Sequence, residues 1–165
     1  MVAGLGNMLI QDDGFGTEVI RRLRSINLPP QVEVEDFGIN GVRMAHRLIE
    51  GYDLLVIADI AKRGGEPGTV YLIEIDPTKE QQFQLLHSQP NSKLMSSHTM
   101  GSEEVFSLIS SFGTWPKKVV LVCCEPLFFE EYAIGLSEPV QKAVDKATEV
   151  IRSIITDELG KPASS

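Results

Sequence analysis

Apolar residues along this chain occur alternately in short runs and at helical spacing, which is the pattern of alternating strands and helices. The short runs predict five strands, at residues 1–5, 32–37, 54–58, 69–75 and 118–124. Helical spacing predicts helices at residues 15–26, 42–50, 103–112 and 137–159. We expect Ser137 to cap the last helix, with Pro139 in its first turn. This alternation favours a mostly parallel sheet between layers of helices.

The third and fourth predicted strands indicate how the sheet is arranged. Residues 54–58 form a continuous apolar run closed by Asp59, as expected of a central strand that is buried on both faces. The loop to residues 69–75 is short and leaves no room for a crossover helix, so this strand should run antiparallel. The polar residues 76–100 are expected to form a long functional or disordered loop. The fold class is therefore an α/β/α sandwich, with one domain over residues 1–160 and a frayed tail at 161–165.

Composition narrows the class of protein. The 165 residues are 42% hydrophobic and carry a formal net charge of −8, as in an ordinary globular domain. Because no basic stripe accompanies this charge, we expect no nucleic-acid partner. We also expect no membrane partner, because no apolar run is long enough to span a bilayer. Two adjacent cysteines and the lack of an export signal favour the reducing cytoplasm.

The glycine-rich segment GLGNMLIQDDGFG, residues 4–16, is the first candidate for chemistry. It is similar to a dinucleotide-binding fingerprint, but Leu9 stands where the third glycine belongs. The segment instead presents Asp12 and Asp13 after the first strand. In open α/β sheets, functional groups follow the carboxyl ends of the strands, so these acids should lie near Asp59. With His98 from the long loop, two carboxylates and one imidazole would form a mixed oxygen and nitrogen set for a divalent ion.

Each candidate also has a purely structural interpretation. Asp12 is most simply the N-cap of the helix that follows it, and Asp13 a first-turn acid kept ionised by the helix dipole. Asp59 is an acid at the end of a buried strand, for which a loop-capping role is the alternative. A lone histidine in a polar loop is usually exposed to solvent, which is the alternative for His98.

Other side chains have weaker cases for a functional role. Cys123 and Cys124 lie on a predicted buried strand, where free cysteine behaves as a small hydrophobic residue. His46 and His87 have no neighbouring residues in sequence that would make a metal site with them. A zinc protease of the H-E-x-x-H type is excluded, because that motif is absent.

Five ordered blocks of sequence resemble one family, the hydrogenase maturation endopeptidases. They are GLGNMLIQDDGFG, DFGINGVRMAHRL at 36–48, VIADIAKRGGEPGTVYLIE at 56–74, SSHTMG at 96–101 and CCEPLFFEEYAIGLSEPV at 123–140. The resemblance covers nearly the whole chain, and the ordered set is far more specific than any one block. It implies a five-stranded mixed sheet of order 2-1-3-5-4 with the fourth strand antiparallel.

The resemblance also implies the site and the activity. Asp13, Asp59 and His98 match the family's nickel ligands, and we take the same three residues as the candidate catalytic residues. The implied partner is the large-subunit precursor of a [NiFe]-hydrogenase, which brings the nickel and loses a short C-terminal peptide. In this hypothesis the ion acts as a Lewis acid and a site carboxylate as general base. The alternatives are a module that binds the nickel-containing precursor without cutting it, and a small-substrate hydrolase or phosphorylase on the same fold.

Overall fold

The computed structural model describes residues 1–75 and 115–160, which form one sheet with helices on both faces. The strands are β1 (Val2–Leu5), β2 (Val34–Gly38), β3 (Leu54–Ile60), β4 (Val70–Ile75) and β5 (Lys118–Cys124). The helices of the described residues are α1 (Phe15–Arg24), α2 (Gly41–Leu48) and α3 (Glu138–Leu159), and a 3₁₀ turn spans Gln11–Gly14. None of the three helices is long and apolar enough to cross a membrane.

The sheet has the order β2-β1-β3-β5-β4. β1 pairs in parallel with both β2 and β3, and β3 pairs in parallel with β5. β4 runs antiparallel to β5, in the register Val70 to Cys124 through Ile75 to Val119. Both the order and the antiparallel direction of β4 confirm the predictions. The short connection from β3 explains the direction, because a parallel β4 would need a crossover.

Alternate residues of the strands pack into two cores, one on each face of the sheet. On one face, β3 contributes Leu55 and Ile57, which pack with Met44 and Leu48 of α2. On the other face, α1 and α3 cover the strands with a larger apolar set: Phe15, Val19, Ile20, Leu23, Val140, Val144, Ala147, Ile151 and Ile155. Because both faces are covered, residues 54–58 of β3 and 119–124 of β5 are unbroken apolar runs, as expected of buried strands.

Several predicted boundaries are wrong by a few residues. α1 ends at Arg24 rather than at residue 26, and α2 ends at Leu48, which leaves Ile49 outside the helix and 45% exposed. β3 continues to Ile60, so Asp59 lies within the strand rather than closing it. The predicted helix at 103–112, the polar segment at 76–100 with His98 and His87, and the tail at 161–165 lie outside the described residues.

Candidate active site at the switch point of the sheet

The candidate site lies where the strand order of the sheet reverses. From β1 the chain continues to β2 on one side, whereas β3 pairs with the other side of β1. The carboxyl ends of β1 and β3 therefore flank the crevice in which open α/β sheets usually bind ligands. Asp13 follows β1 on the 3₁₀ turn, and Asp59 lies near the end of β3.

Glycines bring the turn that carries Asp13 against the strand ends. Gly6 has φ of +127°, and a Cβ there would lie 1.8 Å from the carbonyl oxygen of Asp13. Gly16, in the first turn of α1, approaches the backbones of both β1 and β3. A Cβ on Gly16 would lie 2.2 Å from Leu5 O and 2.4 Å from Ala58 O. Gly6 and Gly16 thus allow backbone segments to pack closely, because a side chain at either position would clash with a carbonyl oxygen.

Asp13 is a buried carboxylate held by its own turn. The residue is only 3% exposed, and its Oδ2 accepts a hydrogen bond of 2.8 Å from Asn7 N. Burial raises the pKa of Asp13 to about 6, and the Asn7 hydrogen bond opposes this shift. Desolvation thus raises the pKa of Asp13 above that of an exposed aspartate, but a pKa of about 6 still leaves the carboxylate mostly ionised at neutral pH.

Asp59 is the second buried carboxylate. The residue is 8% exposed, and Oδ1 accepts a hydrogen bond of 2.8 Å from the backbone N–H of Ile60. Burial and, to a smaller extent, the negative charge of Asp13 raise the pKa of Asp59 to about 7, against the opposing effect of the Ile60 hydrogen bond. The 3₁₀ turn that carries Asp13 lies against β3, so the two acids are at the same edge of the sheet.

The two carboxylates each keep one oxygen available within the described part of the chain. No residue of 1–75 or 115–160 donates a hydrogen bond to Asp13 Oδ1 or to Asp59 Oδ2. Two desolvated acids that repel each other would be stabilised by a cation, and divalent first-row metals accept carboxylate and imidazole ligands. Among the described residues no group of three or more His, Cys, Asp or Glu is placed so that it could hold a metal ion.

Asp12 does not cap the helix behind it, which corrects its structural interpretation from sequence. The N-cap position of α1 is Gly14, and no side chain caps this helix. The Asp12 carboxylate instead accepts hydrogen bonds from the chain that leads into α3, more than a hundred residues later. Ser137 does occupy the N-cap position of α3, but its hydroxyl donates to Asp12 rather than capping the helix.

Glu125 is a buried acid that the sequence interpretation missed. It follows β5 directly, is 4% exposed, and accepts hydrogen bonds from Arg63 N (2.8 Å), Gly64 N (3.2 Å) and Tyr71 Oη (2.8 Å). These contacts hold the β3–β4 connection at the same edge of the sheet. The signal was present in the sequence, because Glu125 follows the apolar run of β5 as Asp59 follows the apolar run at residues 54–58.

The cysteines behave as the sequence predicted. Cys123 and Cys124 are free, buried and packed in opposite cores of the sheet. Burial raises the pKa of both thiols, that of Cys124 to about 12. Since the thiolate is the reactive form, neither residue is suited to nucleophilic chemistry.

These features define the class of protein: an α/β/α sandwich with a buried carboxylate pair at its switch point. Comparison with known proteins then gives the family. A family model described as hydrogenase maturation protease matches residues 17–154. A putative hydrogenase maturation protease of Methanocaldococcus jannaschii is 35% identical over 156 residues, covering 92% of each chain.

Solved structures agree with the sequence comparisons. The hydrogenase maturating endopeptidase HybD from E. coli superimposes with a TM-score of 0.78 at 28% identity, covering 95% of this chain and 91% of that one. The [NiFe] hydrogenase maturation protease HycI from Thermococcus kodakarensis gives 0.69 at 26% identity, covering 94% and 90%. The chain belongs to the hydrogenase maturation protease family, and it is accordingly an endopeptidase.

Proposed function

We propose that this endopeptidase removes the C-terminal peptide of a nickel-loaded [NiFe]-hydrogenase large-subunit precursor, and that the nickel carried by the precursor is its recognition mark. The observation that carries the proposal is the pair Asp13 and Asp59, buried at the switch point of the sheet and close enough to interact electrostatically. Family membership supports a hydrogenase as the object of maturation.

The donor chemistry of the pair suits nickel. Each acid has one carboxylate oxygen that accepts no hydrogen bond from the described residues. Divalent nickel accepts such oxygens together with an imidazole nitrogen, for which His98 is our candidate. Nickel bound to the precursor would thereby relieve the repulsion between Asp13 and Asp59, and the scissile peptide would be fixed in the crevice.

Hydrolysis then requires a base for the attacking water. Water adds to the scissile carbonyl, its proton passes to a carboxylate of the pair, and the carbon–nitrogen bond breaks as the leaving amine takes up a proton. Without nickel, the pKa of Asp59 is about 7, and a cation in the site would lower it, so that the carboxylate would be in the ionised form that accepts a proton. The pair thus supplies ligand oxygens and a base between them.

The direct test is the mass of the precursor after incubation with the protein, with and without nickel. We expect nickel-loaded precursor to yield a shortened subunit and a short C-terminal peptide, with one water added, and nickel-free precursor to stay intact. Equal cleavage without nickel would contradict the recognition role. Stable binding of the loaded precursor without peptide release would favour a non-cleaving binding module instead.

His98 has its own prediction. We expect His98→Ala to lower the rate of precursor cleavage by at least about 100-fold, the typical effect of removing one stabilising group from a catalytic site. His46→Ala is the matched control, because this histidine is exposed on α2. If the two variants cleave at similar rates, His98 is not part of the site.

A further inference from the structure

We propose that Asp12 is a positioning residue for the precursor: it holds the loop between β5 and α3, residues 125–137, against the turn that carries Asp13. This loop is called the β5–α3 loop below. The inference rests on the proposed function for the identity of the bound protein. It concerns how tightly the precursor is held, whereas Asp13 and Asp59 concern the nickel and the chemistry.

The Asp12 side chain is fully buried and bonded entirely to the β5–α3 loop. Its Oδ2 accepts hydrogen bonds from Leu127 N (2.9 Å), Phe128 N (2.9 Å) and Ser137 Oγ (2.9 Å), and Oδ1 accepts one from Ser137 N (2.6 Å). Burial of an acid without hydrogen bonds is costly, and these four donors replace the water that Asp12 loses. The donors come from both ends of the loop, so the Asp12 side chain joins the two ends.

Backbone contacts join the same two segments. Asp12 N donates to Phe128 O (3.1 Å), and Gln11 N donates to Ala133 O (2.8 Å). Ala133 N donates in return to Leu9 O (3.1 Å), and Ile10 forms an isolated parallel bridge with Ala133. The β5–α3 loop is therefore fastened along the segment that leads into Asp13.

The β5–α3 loop also has contacts at its two ends, where Glu125 accepts hydrogen bonds from Arg63 N and Gly64 N and Leu136 packs against the core. It contains no helix or regular strand, and several of its apolar side chains face solvent. The exposed fractions are 43% for Leu127, 45% for Phe128, 81% for Tyr132 and 88% for Ile134. The Asp12 contacts thus hold the stretch of the loop that carries Leu127 and Phe128 beside the turn of Asp13, where these two side chains are partly exposed to solvent.

Asp13 does not depend on these contacts to the same degree. It is held by the hydrogen bond from Asn7 and by the close approach of Gly6 within its own turn. Loosening the bonds to Asp12 should therefore displace the β5–α3 loop before it displaces Asp13. We therefore expect loss of the Asp12 contacts to weaken the affinity for the precursor and to leave the rate of the catalytic step nearly unchanged.

The test removes one of the four donors. Ser137→Ala deletes the hydroxyl bond to Asp12 and keeps the backbone one, and a hydrogen bond to a charged group is worth about 10- to 100-fold in an equilibrium constant. We expect the Kd for nickel-loaded large-subunit precursor to rise roughly 3- to 30-fold while kcat stays within about twofold, because the loop loses part of its anchoring. Ser137→Thr, which keeps a hydroxyl, should largely restore the affinity.

Thr148→Val is the matched control on the same helix. It also removes a buried hydroxyl, which bonds to Val144 O at 2.8 Å, but it lies away from the loop. A general loss of stability would affect both variants, whereas loss of positioning should raise Kd only in Ser137→Ala. Hydrogen exchange at the amides of Leu127 and Phe128 should also quicken in Ser137→Ala and not in the control.

Each outcome bears on the proposal separately from the proposed cleavage. Unchanged Kd in Ser137→Ala, equal changes in both variants, or unchanged exchange at the loop amides would overturn the positioning role. If the wild-type protein binds the precursor but releases no peptide, the cleavage proposal fails while the Kd comparison still decides the role of Asp12. If the wild-type protein does not bind the precursor at all, both fail.

Discussion

At the scale of single residues, the ionised form of Asp59 destabilises the folded protein. Its pKa is about 7 in the folded protein and 3.8 for an ordinary exposed aspartate, mainly because burial disfavours the charged form. The folded state therefore binds a proton more readily than the unfolded state. Its contribution to stability is greatest below about pH 4 and is lost as the pH rises towards 7.

Asp59→Asn should therefore stabilise the protein at alkaline pH. The amide keeps an oxygen for Ile60 N and carries no charge, so we expect a gain on the order of 2–4 kcal/mol in the free energy of unfolding at pH 8. The gain should shrink towards zero near pH 4. Urea unfolding at the two pH values measures it, and the exposed Asp157→Asn serves as control. A destabilised variant at pH 8 would contradict this cost of burying the charge.

Tyr71 tests the buried acid that ends β5. Its hydroxyl donates to Glu125 Oε2 at 2.8 Å, and hydrogen bonds to charged groups contribute more than neutral ones. We expect Tyr71→Phe to lower the free energy of unfolding by about 1–2 kcal/mol. Tyr132→Phe is the control, because Tyr132 is 81% exposed. Equal stability of the two variants would mean that Glu125 does not depend on this bond.

At the scale of elements, Gly16 allows α1 to pack closely against the backbones of β1 and β3. A Cβ on Gly16 would lie 2.2 Å from Leu5 O and 2.4 Å from Ala58 O, and both contacts are with backbone that cannot turn aside. The helix or the strands would have to move apart. The same movement would shift Asp13, since it lies on the turn that enters α1.

We predict that Gly16→Ala lowers the free energy of unfolding by about 3 kcal/mol or more, as expected for overpacking against rigid backbone. Gly51→Ala is a matched control, because Gly51 has φ of +84° but nothing within 4 Å of the added Cβ. It should cost about 1–2 kcal/mol from backbone strain alone. Denaturant unfolding compares them, and equal costs would show that α1 adjusts freely.

Some strands and helices could be predicted from the sequence more accurately than others. β5 was predicted with its observed bounds, because a strand buried on both faces is an unbroken apolar run. The ends of α1 and α2 were misplaced, since helix termini depend on local capping more than on apolar spacing. The hydrogen bonds of Asp12 were not predicted, because its partners Leu127, Phe128 and Ser137 are remote in sequence and come close to it only in the fold.

At the scale of the whole molecule, the topology of the sheet brings residues from separate sequence motifs to one place. The reversal of strand order between β1 and β3 brings Asp13 and Asp59 together, although 45 residues separate them in the chain. This meeting was predictable, because acids that follow parallel strands share one edge of the sheet. The raised pKa values were not, since they depend on burial by the surrounding layers. The place of His98 in the site stays a prediction.

The central claim is that the Asp13 and Asp59 carboxylates bind the nickel of the precursor during cleavage. The most direct measurement is the fraction of nickel-loaded precursor shortened by Asp59→Asn, compared with Asp157→Asn and wild type, at pH 8 and read by intact mass. Because Asp59→Asn should be at least as stable as wild type, unfolding would not explain its loss of activity. We predict that cleavage by Asp59→Asn falls at least about 100-fold while Asp157→Asn retains wild-type cleavage. Cleavage by Asp59→Asn at the wild-type rate would contradict the claim.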